Sequence, residues 1–270
     1  MKTFFVDSFT DQKFKGNPAA VCLTETELSN STMQSIATEI GFSETAFIKK
    51  MDSNTYSIRF FTSKKEIPLC GHATLASSKI IFDTTEIDAI TFINCENVEL
   101  KTRKENDGKI VMQFPVYDTE EIEVPKLMLD ALGITTTVNT RFSPQNKIIL
   151  IEINSADTLA QLSPDFTALI NSYNGINGVL ITARANNNHF DFHYRYFWPW
   201  AGTNEDPVTG GVQTFLTKYW AGKLNKNKFN AFQSSSRTGM MSTELFPDKV
   251  LIYGKAVTVL EGEFTIGNNV

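Results

Sequence analysis

The chain has 270 residues, 41% apolar and 20% charged, with a formal net charge of −5. That length suits two domains, and the composition excludes an intrinsically disordered chain. Mild acidity argues against a nucleic-acid binder, which would carry a basic face, and no apolar run approaches the roughly 20 residues of a membrane-spanning helix.

The first eleven residues hold one lysine, and Asp7 interrupts their apolar stretch, so neither a secretory signal nor a transit peptide is expected. Residues 3–10 read as a strand. A turn at Lys15-Gly16-Asn17-Pro18 leads into the apolar run Ala19-Ala20-Val21-Cys22-Leu23. A helix is predicted from an N-cap at Ser29 or Asn30, with Met33, Ile36, Ala37 and Ile40 on one stripe and Gly41 as its stop. Residues 42–48 and 56–62 read as strands, and 73–82 as a mostly buried helix. Three more strands are predicted near 90–93, 98–102 and 110–114. The acidic stretch 115–125, bounded by two prolines, reads as a linker between domains 1–116 and 126–260, with 261–270 returning to the first. In the second half a short helix at 126–132 ends on Gly133. Ser163-Pro164 reads as a helix start. Strands fit 147–153, 178–183, 189–197, 250–253 and 256–260, and a second buried helix fits 211–221.

The two halves repeat one pattern. Glu66-Ile67-Pro68-Leu69-Cys70-Gly71 and Glu205-Asp206-Pro207-Val208-Thr209-Gly210 both read Glu-x-Pro-x-x-Gly, and both precede the most apolar helix of their half. This predicts two similar domains facing each other with two helix N-termini at the interface. Unpaired N–H groups and a partial positive charge make such termini anion sites, so a carboxylate is the expected ligand.

Candidate chemistry lies close to these repeats. Glu44, on a strand face with Phe42, Ala46 and Ile48, is expected to have a raised pKa suited to acid–base catalysis, against the alternative of an exposed glutamate at a helix-to-strand junction. His72 and Asp206 stand at the two helix starts, where each either caps its helix or handles a proton or substrate group. Gly71, Gly210 and Gly211 allow a ligand to approach the backbone, or simply permit tight turns. Cys70 precedes a helix, where a thiol's pKa tends to fall, but its counterpart is Thr209, so a two-thiol racemase is disfavoured. His189 and His193, with Asp191 between them, read as a solvated strand face and not as a metal site. The odd set Cys22, Cys70 and Cys95 suggests reduced thiols in a cytoplasm.

Together the motifs resemble the PhzF-like (phenazine biosynthesis) family. The likeness is carried by Val6-Asp7-Ser8-Phe9-Thr10, Gly16-Asn17-Pro18-Ala19-Ala20-Val21 and Phe42-Ser43-Glu44-Thr45-Ala46-Phe47. It continues through Ile67-Pro68-Leu69-Cys70-Gly71-His72-Ala73-Thr74-Leu75-Ala76, Arg195-Tyr196-Phe197 and Glu205-Asp206-Pro207-Val208-Thr209-Gly210. The resemblance implies an α/β (α+β) chain of two similar domains with the diaminopimelate-epimerase-like fold. In that fold each domain wraps a curved, mostly antiparallel sheet around a central helix, with the active site between the domains. It also implies an isomerase of the trans-2,3-dihydro-3-hydroxyanthranilate type, working without cofactor or metal. Glu44 matches the catalytic glutamate of that family, His72 and Asp206 match its active-site histidine and aspartate, and Gly71 and Gly210 match its carboxylate-holding turns. Gly211 departs from a serine frequent in the family and removes a hydroxyl beside the substrate. The expected partner is a small carboxylate-bearing metabolite, with no nucleic acid and no membrane. A homodimer fits the family but is not visible in the sequence. The competing readings are a thiol-dependent epimerase using Cys70 and a non-catalytic binding protein.

Overall fold

In the computed structural model, which describes residues 1–265, β1 (Lys2–Ser8) and β2 (Asn17–Thr24) pair antiparallel. The helix α1 (Asn30–Ile40) follows. Its N-cap is Ser29, whose hydroxyl accepts from Thr32 N–H, and Gly41 closes it at φ +72°. Its stripe Met33, Ile36 and Ala37 packs on Cys22, Phe47 and Phe61, each large side chain contributing about 1.5–3 kcal/mol. β3 (Thr45–Lys50) then lies parallel to β2 and antiparallel to β4 (Thr55–Phe61). The short β5 (Glu66–Ile67) turns back on β4 and leads into α2 (Gly71–Thr84). β6 (Ala89–Ile93) is parallel to β4, and β7 (Glu99–Lys104) and β8 (Ile110–Pro115) continue antiparallel.

Ten residues of α2, from His72 to Phe82, are buried, and the helix packs on β1, β2, β3 and β7. A helix apolar or small on every side must lie inside its domain. Two of its buried hydroxyls are satisfied locally, Ser78 by the Thr74 carbonyl and the Thr102 hydroxyl, and Thr74 by the Cys70 carbonyl, while the Ser77 hydroxyl has no hydrogen-bond partner among the described residues.

The stretch expected to be a linker is structured. β9 (Glu120–Glu121) pairs with β10 (Asn139–Ser143), so the first boundary falls at Gln113/Phe114. Between them lies α3 (Lys126–Leu132), closed by Gly133. β11 (Ile148–Glu152) follows. Next come α4 (Ala156–Gln161) and α5 (Phe166–Ser172), the latter capped by Asp165 and not by Ser163, because the Asp165 carboxylate accepts from Ala168 N–H. β12 (Gly178–Arg184), β13 (Phe192–Trp198), β14 (Thr203–Asp206), α6 (Gln213–Leu224), β15 (Lys228–Gln233) and β16 (Gly239–Leu245) complete this half. β17 (Lys249–Gly254) and β18 (Ala256–Glu263) end the described chain.

Two compact units result, one of Met1–Gln113 with the chain from Ile252, the other of Phe114–Leu251. The second unit was expected to run to 260. The return comes earlier because β18 pairs along all of β1, from Ser8↔Ala256 to Lys2↔Glu263. Of the 261–270 segment expected to return, residues 266–270 lie outside the described residues.

The ladders repeat. In the first unit β1/β2 is antiparallel, β2/β3 parallel, β3/β4 and β4/β5 antiparallel, β4/β6 parallel and β6/β7 antiparallel. β10 to β16 follow the same succession in the second. The buried helix occupies the same place in each, between the fifth and sixth strands of the repeat.

Candidate active site

Glu44 lies one residue ahead of β3, in the loop that leaves α1 through Gly41. The strand expected from residue 42 therefore starts later, and the junction reading was right about the place but not about exposure, since Glu44 is only 5% exposed. Two contacts fix the loop. Phe42 meets the Phe5 ring edge-on at 4.8 Å, and the Glu44 carbonyl accepts from Ala20 N–H at 3.3 Å.

α2 brings the partners. Cys70 is its N-cap residue and His72 lies in its first turn. The His72 ring is bridged on both sides, with Nε2 3.1 Å from Glu44 Oε2 and Nδ1 3.4 Å from Cys70 Sγ. The Ser8 hydroxyl donates to the His72 carbonyl at 2.8 Å and ties the helix start to β1. Ser8 belongs to a motif quoted from the sequence, but its role there was not legible, because the bond spans 64 residues.

The electrostatics correct two expectations. Burial pushes the Glu44 carboxyl up, but His72 and hydrogen bonds from His72, Ser43 and Cys70 outweigh it, so its pKa lies below the ordinary value. Burial disfavours the His72 imidazolium, yet the Cys70 sulfur and the Glu44 carboxylate hold its proton, and its pKa lies well above the usual one. Burial, helped by the Glu44 charge, pushes the Cys70 thiol up in spite of His72, so the helix start does not lower it as expected. The cluster therefore favours the charged carboxylate of Glu44 and the protonated ring of His72. It thus holds a base and an acid side by side, next to helix N–H groups that favour an anion. The Glu44 oxygen, the Cys70 sulfur and a His72 ring nitrogen lie within 4.8 Å of one another.

The second unit carries the other predicted residues. Asp206 ends β14, is 9% exposed, and accepts a hydrogen bond from the Thr209 hydroxyl. Gln233, fully buried at the end of β15, clamps this turn: its Nε2 donates to the Asp206 carbonyl at 2.6 Å and its Oε1 accepts from Thr209 N–H at 2.7 Å. Gln233 was missed, and alternation along a strand does not mark a buried glutamine. Gly210 and Gly211 lie in the turn that starts α6, where Gln213 N–H bonds the Gly210 carbonyl. The backbone does not demand glycine at 211, because a Cβ there would meet nothing within 4 Å. Gly71 begins α2 beside Cys70.

The histidine pair on the supposed strand comes apart. His189 is exposed and outside β13, Asp191 pairs with Lys226, and His193 sits among Phe190, Phe232 and Ser234. Trp200 packs on the second unit's core and donates to the Tyr173 carbonyl.

A family model described as phenazine biosynthesis-like protein (PhzC-PhzF) matches residues 6–262. The chain belongs to this family. It is 40% identical to an uncharacterized isomerase of Halalkalibacterium halodurans, across 97% of this chain and 98% of that protein. A PhzF-family crystal structure from Enterococcus faecalis superposes with a TM-score of 0.91 at 33% identity, covering 98% of this chain and 99% of that one. A hydroxyproline epimerase structure from Agrobacterium vitis gives a TM-score of 0.57 at 9% identity, covering 97% and 90%, which shows a shared fold alone. The diaminopimelate-epimerase-like architecture expected from the sequence is therefore present, and the PhzF relatives support an isomerase-type function. Among the described residues no helix is long and apolar enough to cross a membrane.

Proposed function

We propose that the protein is a cofactor-independent isomerase that moves a proton on a small carboxylate-bearing metabolite. The observation that carries this reading is the buried Glu44–His72 pair at the N-terminus of α2, 3.1 Å apart. Glu44, as carboxylate, takes a proton from one substrate carbon, exchanges it with solvent, and delivers a proton to another carbon. The His72 imidazolium and the first-turn N–H groups of α2 hold the substrate carboxylate and the negative charge that develops. Base and acid are both supplied by side chains, so the reaction needs no further group. Gly71 gives the substrate room at the helix start. Asp206, with Gly210 and Gly211, is a candidate orienter of a substrate hydroxyl or amine.

One observation favours a second reading, the Cys70 sulfur 3.4 Å from the His72 ring, which is the arrangement of a thiol base in an epimerase. Deuterium uptake from D2O separates the two. Dihydro-hydroxyanthranilate and related small carboxylates are incubated with the protein and weighed by mass spectrometry. The expected result is one deuterium with wild type and with Cys70→Ser, and a loss of at least about 100-fold in Glu44→Gln, the scale of general-base catalysis. Uptake that survives in Glu44→Gln and vanishes in Cys70→Ser makes Cys70 the base. Asp206→Asn, read as a change in KM or in kcat, tests the role of Asp206.

A further inference from the structure

The duplication allows the two units to be compared position by position. The Arg59–Glu66 pair matches the Arg195–Glu205 pair, and this sets β3/β4 on β12/β13, with Phe61 opposite Thr45 and Phe197 opposite Val179. Glu44, one residue ahead of Thr45, then corresponds to Gly178. In the same register Phe60, opposite Ile67, corresponds to Tyr196, opposite Asp206. The polar groups have changed strands. The first unit has its carboxylate ahead of β3 and an apolar pair on β4 and β5. The second has glycine at the Glu44 position and a tyrosine–aspartate pair on β13 and β14.

Tyr196 fills what the glycine leaves. A Cβ at Gly178 would lie 2.6 Å from Tyr196 Cε2 and 2.7 Å from its hydroxyl oxygen, so the phenol rests against the place of the Glu44 side chain. Tyr196 is 5% exposed, and its ring leans on Trp198 with centroids 5.9 Å apart. Among the described residues no group hydrogen-bonds its hydroxyl. The fully enclosed polar atoms left without a partner include Trp198 Nε1 but not this oxygen, which therefore keeps access to a ligand. A phenol held this far from water without a partner carries a cost that a ligand oxygen would offset. Burial, with the Asp206 charge adding to it, pushes the phenol's pKa up, so near neutral pH it is a donor and not a base. Directly opposed residues put their Cβ atoms about 4.5–5.5 Å apart on one face of the sheet, which sets this donor beside the Asp206 carboxylate.

We propose that Tyr196 is a specificity-determining residue, whose hydroxyl donates to an oxygen of the substrate's second polar group beside the Asp206 carboxylate. A hydroxyl satisfies both neighbours, accepting from Tyr196 and donating to Asp206. An ammonium group has no lone pair for Tyr196, and an aromatic amine offers a poor one. The substrate is then a carboxylate that also carries a hydroxyl. This deepens the isomerase reading, and it rests on that reading only for the claim that the bound molecule reacts.

Tyr196→Phe keeps the ring over Gly178 and removes only the oxygen, so its melting temperature should equal that of wild type. Both full-length proteins are titrated with the ortho, meta and para hydroxybenzoates and with their amino counterparts, and binding is followed by NMR. In wild type at least one hydroxybenzoate should bind roughly 3- to 10-fold more tightly than its amino counterpart, the scale of one net hydrogen bond. In Tyr196→Phe that preference should vanish. A preference that survives in Tyr196→Phe overturns the proposal, as does a wild type that shows none. Deuterium uptake on the same samples keeps the two readings apart. With hydroxyl-bearing substrates KM should rise by a similar factor in Tyr196→Phe while kcat changes less, as for a contact made on binding. Uptake absent from a wild type that shows the preference sinks the isomerase reading and leaves the Tyr196 contact standing. Uptake present alongside a preference unchanged in Tyr196→Phe sinks the contact and leaves the isomerase reading.

Discussion

Gly16 carries a constraint that is invisible in composition. It holds φ at +67°, and a Cβ would fall 2.1 Å from the Ser8 carbonyl oxygen. Ser8 in turn anchors the His72 carbonyl, so a turn between β1 and β2 braces the start of α2. Gly16→Ala is expected to lose about 2 kcal/mol or more, from left-handed backbone strain together with the backbone clash, as read by urea denaturation. A loss under about 0.5 kcal/mol would show that the turn relaxes and braces nothing. His193 supports a pH prediction. Its burial among Phe190, Phe232 and their neighbours holds its pKa below 6.5, with the Asp157 charge opposing. The folded state therefore binds this proton less readily than the unfolded one. Between the two pKa values the unfolded chain carries more protons, so stability falls as pH drops below about 6.5 and is restored above it. His193→Gln should flatten that part of the curve, and denaturant midpoints at pH 5.5 and 7.5 in both proteins check it. The same loss in both excludes His193 as a source.

At the scale of elements the duplication reaches side chains. On β4, Arg59 makes a two-pronged pair with Glu66 at 2.7 and 2.6 Å and lies over the Phe61 ring. On β13, Arg195 pairs in the same way with Glu205 at 2.7 and 2.8 Å and lies over Phe197. Each clamp fixes the hairpin that delivers the Glu-x-Pro-x-x-Gly turn to its buried helix. The Pro68 carbonyl is then held by Asn94 and the Pro207 carbonyl by Ser235, each just after the next strand. The two clamps differ in burial. Arg195 and Glu205 are 9% and 17% exposed, and Arg195 also donates to the Leu159 and Leu162 carbonyls, whereas Arg59 and Glu66 are 23% and 25% exposed. Removing one partner of a well-buried pair strands a charge. Arg195→Met is thus expected to lose about 3 kcal/mol and Arg59→Met about 1 kcal/mol. Equal losses in guanidinium melts would mean that burial does not set the difference. The repeated glutamates were legible in the sequence because they stand at fixed offsets from Pro and Gly. Their arginine partners were not paired with them, because strand register decides which residues face each other across a hairpin.

At the scale of the molecule, what was legible was local. The two repeats, the buried helices and the cap pair Ser29 and Gly41 announce themselves through short-range pattern, whereas Glu44 and His72 stand out only beside the family motifs. The protonation of the cluster did not, since it depends on a contact between Glu44 and a helix that starts 27 residues later. Least legible was the last strand, which pairs with the first across almost the whole chain. A period-two pattern at 256–260 names a strand but no partner. That pairing makes its own prediction. If β18 is integral to the first unit, Thr258→Pro, opposite Val6, removes a ladder position in the middle of β18 and weakens more than its own strand. Amide exchange followed by mass spectrometry should then show protection lost together in β1, β2 and α2, residues far away in sequence, because cooperative units open as wholes. Strands β10 to β16 of the second unit should keep theirs. Loss confined to β18 would make that strand an appendage and leave β1 to β8 as a unit able to stand without it. Loss throughout both units would mean instead that the chain unfolds as one cooperative body, with the closing strand supporting all of it.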